Sequence, residues 1–327
     1  MRRSLALLAG VLLAGALAVP ASVAGSASAA DGDDGFTIRD PRITESSGLA
    51  ASRQHPGIFW THNDQDQGAF LYAVDGGTGE TVATITLTGV GTPRDIEAIA
   101  VGPDNRLFVG DIGDNDGVVW DHVWVYELPE PATLKDQSVR ATQYVVKYAD
   151  GPRDAESLIV HPKTGRVYII DKQEQGGHLY EGPDGLSASG TNVFRPAAPV
   201  DLWATDAAFS PDGRRLAVRG YFGGIWYDWN GGKLKRRGRL SVPLQGQGES
   251  VTYSTDGTTL LYGSEGTESD VQAEDAPGAG GDSSGGGASG SGSGADGAGA
   301  GLTSGAVAVG GLVVLFLLLR GVFRKKG

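Results

Sequence analysis

Four acidic residues head short runs of small and apolar residues: Glu97 in EAIAV, Glu156 in ESLIV, Asp206 in DAAFS and Glu249 in ESVTY, with SGLAA from Ser47 a weaker fifth. A second set of acids follows each run after a turn: Asp64 in FWTHND, Asp111 and Asp114 in LFVGDIGDN, Asp171 in VYIIDK and Glu265 in LLYGSE. When two antiparallel strands are joined by a turn, the start of the first and the end of the second lie at the same end of the sheet, so both sets share one face. Carboxylates gathered in that way repel one another unless solvated, protonated or bridged by a cation. The natural bridge is a hard, oxygen-preferring ion, and calcium is the expected cofactor. The expected metal ligands are Glu97, Asp111, Asp114, Glu156 and Glu249, with Asp64, Asp171, Asp206 and Glu265 completing a ligand-binding face. Ordinary turn acids are the competing explanation.

The rest of the chemical inventory excludes more than it offers. There is no GxSxG elbow and no cysteine, and the five histidines show no metal-ligand spacing. His55 and His161 precede prolines in equivalent turns, as structural residues do. His62, in WTHND, is the histidine placed near the acidic face and is the candidate catalytic base. Tyr72, Tyr126, Tyr180 and Tyr227 recur in LY, VY, LY and WY pairs and are expected to pack between repeats. The basic run KLKRRGRL, Lys233 to Leu240, falls on an outer strand, where charge discourages edge-to-edge pairing.

A repeat must carry these residues. Thr205 to Trp229 reads as three short strands with a Pro-Asp-Gly turn, Pro211 to Gly213, between the first two. The same order of acid-headed run, turn, second strand and tyrosine-bearing third strand returns along the chain, which is the mark of an internal repeat. The fold class is therefore all-β, a β-propeller, with five blades favoured and six the alternative. Phe36 to Ile43 alternates like a strand ahead of the first complete unit and is expected to close the ring on the last blade. That blade, begun by Glu249, lacks a tyrosine in DVQAEDAPG and reads as incomplete.

The ends describe export and anchoring. Residues 1–29 carry two arginines, an apolar core and Ala27-Ser28-Ala29, the pattern of a secretory signal peptide. Residues 30–275 form the propeller domain, and 276–301 a Gly/Ser-rich linker. Residues 302–323 make an apolar transmembrane helix, and Arg324, Lys325 and Lys326 in the 324–327 tail set the C-terminus inside. The localisation expected is the cell membrane, single-pass, with the N-terminal domain extracellular. Between signal and span the charge is −18, from 21 Lys and Arg against all 39 acids. That excess argues against nucleic-acid binding and is compatible with cations or basic ligands.

FSPDGRRLAV is similar to the repeat of TolB-like and WD-repeat-like propellers. The longer combination SSGLAASRQHPGIFWTHND, DIEAIAVGPDNRLFVGDIGDN, YADGPRDAESLIVHPKTGRVYIIDK and GQGESVTY resembles a family of secreted actinobacterial propellers with no assigned activity. The resemblance implies the fold and little about function, because propellers host many activities. Two classes follow. The first is a surface module binding a protein or small-molecule ligand at the channel face. The alternative is a calcium-dependent hydrolase similar to phytase-like phosphoesterases or lactonase-like propellers, with axial carboxylates holding the ion.

Overall fold

The computed structural model describes residues 34–64, 68–115 and 117–278. The expected signal peptide, span and basic tail, and all but the first three residues of the linker, lie outside the described residues. Among those described, no helix is long and apolar enough to cross a membrane.

The architecture is all-β and propeller-like. After the short strand β1 (Phe36–Thr37), the first meander is β2 (Ser46–Ala51), β3 (Ile58–Asn63), β4 (Phe70–Asp75) and β5 (Thr81–Thr88). The second is β6 (Ile96–Val101), β7 (Arg106–Asp111) and β8 (Val123–Pro129), followed by β9 (Gln137–Arg140) and β10 (Thr142–Tyr148). The third is β11 (Ala155–Val160), β12 (Val167–Asp171), β13 (Gly177–Glu181) and β14 (Thr191–Val200). The fourth is β15 (Ala204–Phe209), β16 (Arg215–Gly220), β17 (Gly223–Asn230) and β18 (Lys233–Leu240). The last is β19 (Gly248–Tyr253), β20 (Thr259–Ser264) and β21 (Asp270–Asp275), with β1 added antiparallel to β21.

The inner strands β2, β6, β11, β15 and β19 pack side by side in that order, and β19 returns against β2. Strands sandwiched on both faces lose the in-out alternation of a half-exposed strand. β11 and β19 are buried along their whole length. The core is accordingly divided into five apolar clusters, each spanning the seam between two neighbouring meanders. Tyr72, Tyr126, Tyr180 and Tyr227 lie in β4, β8, β13 and β17, each buried in the cluster of a different seam. They pack between repeats as their recurrence suggests.

Ring closure differs from the expectation in extent. Only Phe36 and Thr37 pair as a strand, Phe36 with Val271 and Thr37 with Asp270. The rest of the segment crosses the seam between the last and first meanders, where Ile38 and Ile43 are buried beside Leu49, Val74, Leu261 and Val271. Burial of each isoleucine contributes about 1.5–3 kcal/mol. The last meander is also more complete than DVQAED suggests. β21 turns only Val271 fully inward, while Asp270 and Asp275 face solvent and Glu274 is half-buried, so one apolar residue suffices where a tyrosine was expected.

Two seams carry a second fastening at the rim. β9 lies parallel to β5 and leads through Ala141 into β10, so one stretch of chain belongs to both of the first two meanders. The first half of β14 lies parallel to β10 and its second half antiparallel to β13, which ties the second meander to the third. Among the described residues β18 has no such cover: it pairs with β17 alone.

Candidate functional site at the channel mouth

A bulge recurs at the head of every inner strand. The register between first and second strands slips at Ser46/Leu49, Ile96/Ala98, Ala155/Ser157, Ala204/Asp206 and Gly248/Ser250. A bulge inserts one extra residue and re-aims its side chain. The residues so placed are Ser47, Glu97, Glu156, Thr205 and Glu249. The residue following each second strand forms a second tier: Asp64, Ile112, Lys172, Tyr221 and Glu265. Four of these donate their backbone N–H to the carbonyl of the residue preceding the first strand, Asp64 to Glu45, Ile112 to Asp95, Lys172 to Asp154 and Glu265 to Gln247, at 2.8–3.1 Å. The repeat is thus geometric as well as sequential.

Around the mouth the tiers produce two different environments. On one side, carboxylate oxygens of Asp64, Asp95 and Glu97 lie within 4.8 Å of one another, and all three residues are buried. Ser47 donates its hydroxyl toward Glu97 Oε2 at 3.1 Å and the Glu97 carbonyl at 3.0 Å. The Asn115 amide donates to Asp95 Oδ2 at 3.2 Å and Glu97 Oε1 at 3.5 Å. Gly113 lets its backbone approach: a Cβ there would stand 2.5 Å from Asp95 Oδ2 and 2.8 Å from Glu97 Oε1. Burial, followed by the charges of Asp64, Glu156 and Asp95, pushes the Glu97 carboxyl well above its usual range.

On the other side the protein supplies its own cation. Lys172 Nζ is ion-paired with Glu156 inside the mouth. Burial opposes its charge, but Glu156, Tyr221, Glu249 and Glu97 together hold the ammonium well above its usual value. Glu156 and Glu249 are raised by burial and lowered in part by Lys172. Gln247 adds a neutral bridge, donating its amide to Glu249 Oε1 at 2.6 Å and to Glu265. Behind them the fully buried Arg219 donates to the carbonyls of Ser250 and Gly263 at 2.6 and 2.7 Å, and to Gln245 Oε1 at 2.6 Å.

Of the sequence-predicted residues, Glu97, Glu156, Glu249, Asp64 and Glu265 are brought to the mouth. Asp111 is not, because its oxygens accept from the Tyr126 hydroxyl at 2.5 Å and from the N–H groups of Arg94 and Asp95. It therefore positions the segment that carries Asp95. Asp114 braces its own loop, accepting the Trp120 N–H at 2.7 Å, and gives its N–H to Asp154 at 2.9 Å. Asp171 accepts the His178 N–H at 2.6 Å and lies 3.6 Å from the Arg153 guanidinium. Asp206 sits one residue past the bulge and so points away, its oxygens taking the N–H groups of Ala207 at 2.7 Å and Val251 at 2.8 Å across the seam. His62 is closed to solvent: Nδ1 lies 3.0 Å from the Asn63 carbonyl, and Nε2 packs where a Cβ on Gly48 would stand. Burial favours its neutral ring.

No protein-family model matches the chain, and no curated protein matches it. Solved structures do resemble it. A gluconolactonase from Xanthomonas campestris is similar at 20% identity, over 77% of this chain and 83% of that one, with a TM-score of 0.46. The apo soluble aldose sugar dehydrogenase from Escherichia coli is similar at 12% identity, over 74% and 99%, also at 0.46. The WD40 repeats of RRP9 follow at 12% identity, over 69% and 79%, at 0.39.

Sequence reasoning passed over Asp95, Lys172, Tyr221 and Ser47. A signal for Asp95 was present: Arg94-Asp95-Ile96-Glu97 and Arg153-Asp154-Ala155-Glu156 repeat one R-D-x-E pattern. Lys172 and Tyr221 become visible only when the residue after each second strand is aligned as a tier.

Proposed function

We propose that the chain is an exported, membrane-anchored five-bladed propeller whose channel mouth binds a divalent cation and presents a ligand-binding face. The supporting observation is the convergence of buried oxygens from Asp64, Asp95 and Glu97 within 4.8 Å. A donor set made only of carboxylate oxygens suits a hard cation. Calcium takes six to eight oxygen ligands at about 2.3–2.6 Å in flexible geometry, and the gathered carboxylates could supply part of such a shell. Bound there, the cation would offset three gathered negative charges and could polarise an oxygen of a ligand.

Binding is preferred to hydrolysis because a hydrolase needs a base beside the ion, and His62 is enclosed. The test is calcium titration of the full chain, with metal analysis, followed by a screen on phosphoesters and lactones. Saturable binding that raises the melting temperature supports the reading. Superimposable melting curves in calcium and EDTA overturn it, and turnover in the screen moves the assignment to hydrolase.

A further inference from the structure

Beside the acidic mouth, and sharing Tyr221 with its second tier, the fourth meander holds a pocket of about 330 Å³ between the β16–β17 turn and the outer strand β18. One wall is aromatic. Trp203 and Tyr221 meet edge to face at 5.0 Å and 78°, and Phe222, 59% exposed, continues the wall 6.3 Å from Tyr221. Arg236 and Arg239 of the KLKRRGRL run also line the pocket, together with the acidic Asp201. Arg236 is offset by Asp201 at 3.5 Å. Arg239 has no ion-pair partner among the described residues. Gly223 lines the pocket too, and a Cβ placed on it would meet nothing within 4 Å, so side-chain-free backbone borders the space.

Those walls select a chemistry. A corner of two perpendicular rings offers an apolar face for the C–H surface of a saturated ring. An arginine fork offers a planar pair of donors that matches a carboxylate or phosphate. The volume lies at the lower end of small-molecule sites and has room for a sugar ring with one substituent. We propose that this pocket is a binding subsite for a saccharide unit bearing a carboxylate or a phosphate. It gives the basic run a role that edge protection alone does not explain: Arg239 stands at the pocket rather than along the open edge only. The proposal does not depend on the cation reading, because none of its residues belongs to the Asp64, Asp95 and Glu97 group.

The full chain is titrated by calorimetry with glucuronate, glucose 6-phosphate, glucose and benzoate, in EDTA and again in calcium. One or both anionic sugars should bind saturably, with glucose about tenfold weaker or more, as expected when a charge-assisted contact is lost. Which anion binds tighter separates the carboxylate source from the phosphate source. Arg239→Gln should bring the anionic sugars to the affinity of glucose, and Trp203→Ala should remove binding. Gly223→Phe sets a ring on backbone that lines the pocket, at a position where the Cβ meets nothing within 4 Å, and should abolish binding while leaving the melting temperature unchanged. Equal affinity for glucose, tighter binding of benzoate, unaltered binding in Gly223→Phe, or no saturable binding of either anion would each overturn the proposal. Calcium binding measured in the same samples reports on the cation site separately.

Discussion

Glu97 and Glu156 occupy the same bulge of neighbouring meanders, yet they inhabit different electrostatic worlds. Glu156 has Lys172 as an ion-pair partner, and the ammonium also faces Glu249. Glu97 instead gathers Asp64 and Asp95, and its nearest charges are mostly of its own sign. The difference arises one tier away, where the residue after the second strand is an aspartate in the first meander and a lysine in the third. A repeat therefore fixes where a side chain points, while non-equivalent neighbours decide whether the position is a self-neutralised structural pair or a place that gains from an added cation.

The sharpest break of that contrast removes Lys172. Lys172→Met leaves Glu156 and Glu249 buried without their common cation, and loss of one partner of a buried pair costs about 3–5 kcal/mol. Urea unfolding at pH 7 in EDTA should show that loss, and the double variant with Glu156→Gln should recover most of it. A loss well under ~1 kcal/mol, near that of an exposed pair, would mean that Lys172 is not the internal counter-ion.

Calcium sharpens the contrast from the other side. A ligand held only by the folded state stabilises by about 2.7 kcal/mol at a hundredfold excess over its dissociation constant. Glu97→Gln or Asp64→Asn should erase the calcium-induced rise in melting temperature, whereas Glu156→Gln should leave it in place. The reverse result would move the ion to the lysine side of the mouth.

Much of the fold was legible because it follows from recurring local signals: turn residues, acid-headed strands and a tyrosine in each third strand. The site was legible only in part. Glu97, Glu156 and Glu249 share a register that the sequence displays, but in the fourth repeat the aligned acid, Asp206, is one residue late. A one-residue shift in a strand reverses the face, so Thr205 takes the bulge and Asp206 serves the seam. Asp111 lies apart from the three gathered acids for another reason: backbone N–H groups of Arg94 and Asp95 needed acceptors, and they and the Tyr126 hydroxyl, all 15–17 residues away, claim its carboxylate.

The contrast also has a pH signature. Glu97, Glu156 and Glu249 all have carboxyls raised above the ordinary glutamate value of 4.5. In EDTA these carboxyls should therefore hold protons in the folded state that the unfolded state has released, so their contribution to stability should rise as pH falls from neutral toward 4.5. The slope is at most about 1.4 kcal/mol per pH unit for each proton taken up. Below that window the gain is complete. Asp40, held at about 2 by Arg42, then loses its stabilising contribution as pH falls from 3.8 toward about 2. Urea midpoints between pH 7.5 and 4.5 check the sign, and calcium should flatten the slope by keeping Glu97 ionised. Because buried His62 and His161 resist protonation and oppose that gain below pH 6.5, the parent is compared with Glu97→Gln, and an identical pH slope in the two would show that the Glu97 carboxyl is not raised.

The smallest effect compares two hydroxyls at equivalent bulges. Ser47 donates either to Glu97 Oε2 or to its carbonyl, since one hydroxyl has one hydrogen. Thr205 donates to the Gly248 carbonyl at 3.3 Å, on the side of the ring away from the three acids. Each substitution by alanine removes one neutral donor and should cost about 0.5–1.5 kcal/mol in urea unfolding. Stability alone cannot distinguish them, but calcium affinity can. Ser47→Ala frees the Glu97 carboxylate from the donor that orients it, and should weaken calcium binding a few-fold in calorimetry. Thr205→Ala should leave calcium binding at the parent value. If the two variants change calcium affinity equally, the mouth acts as one site around its whole circumference, and the division between its halves does not hold.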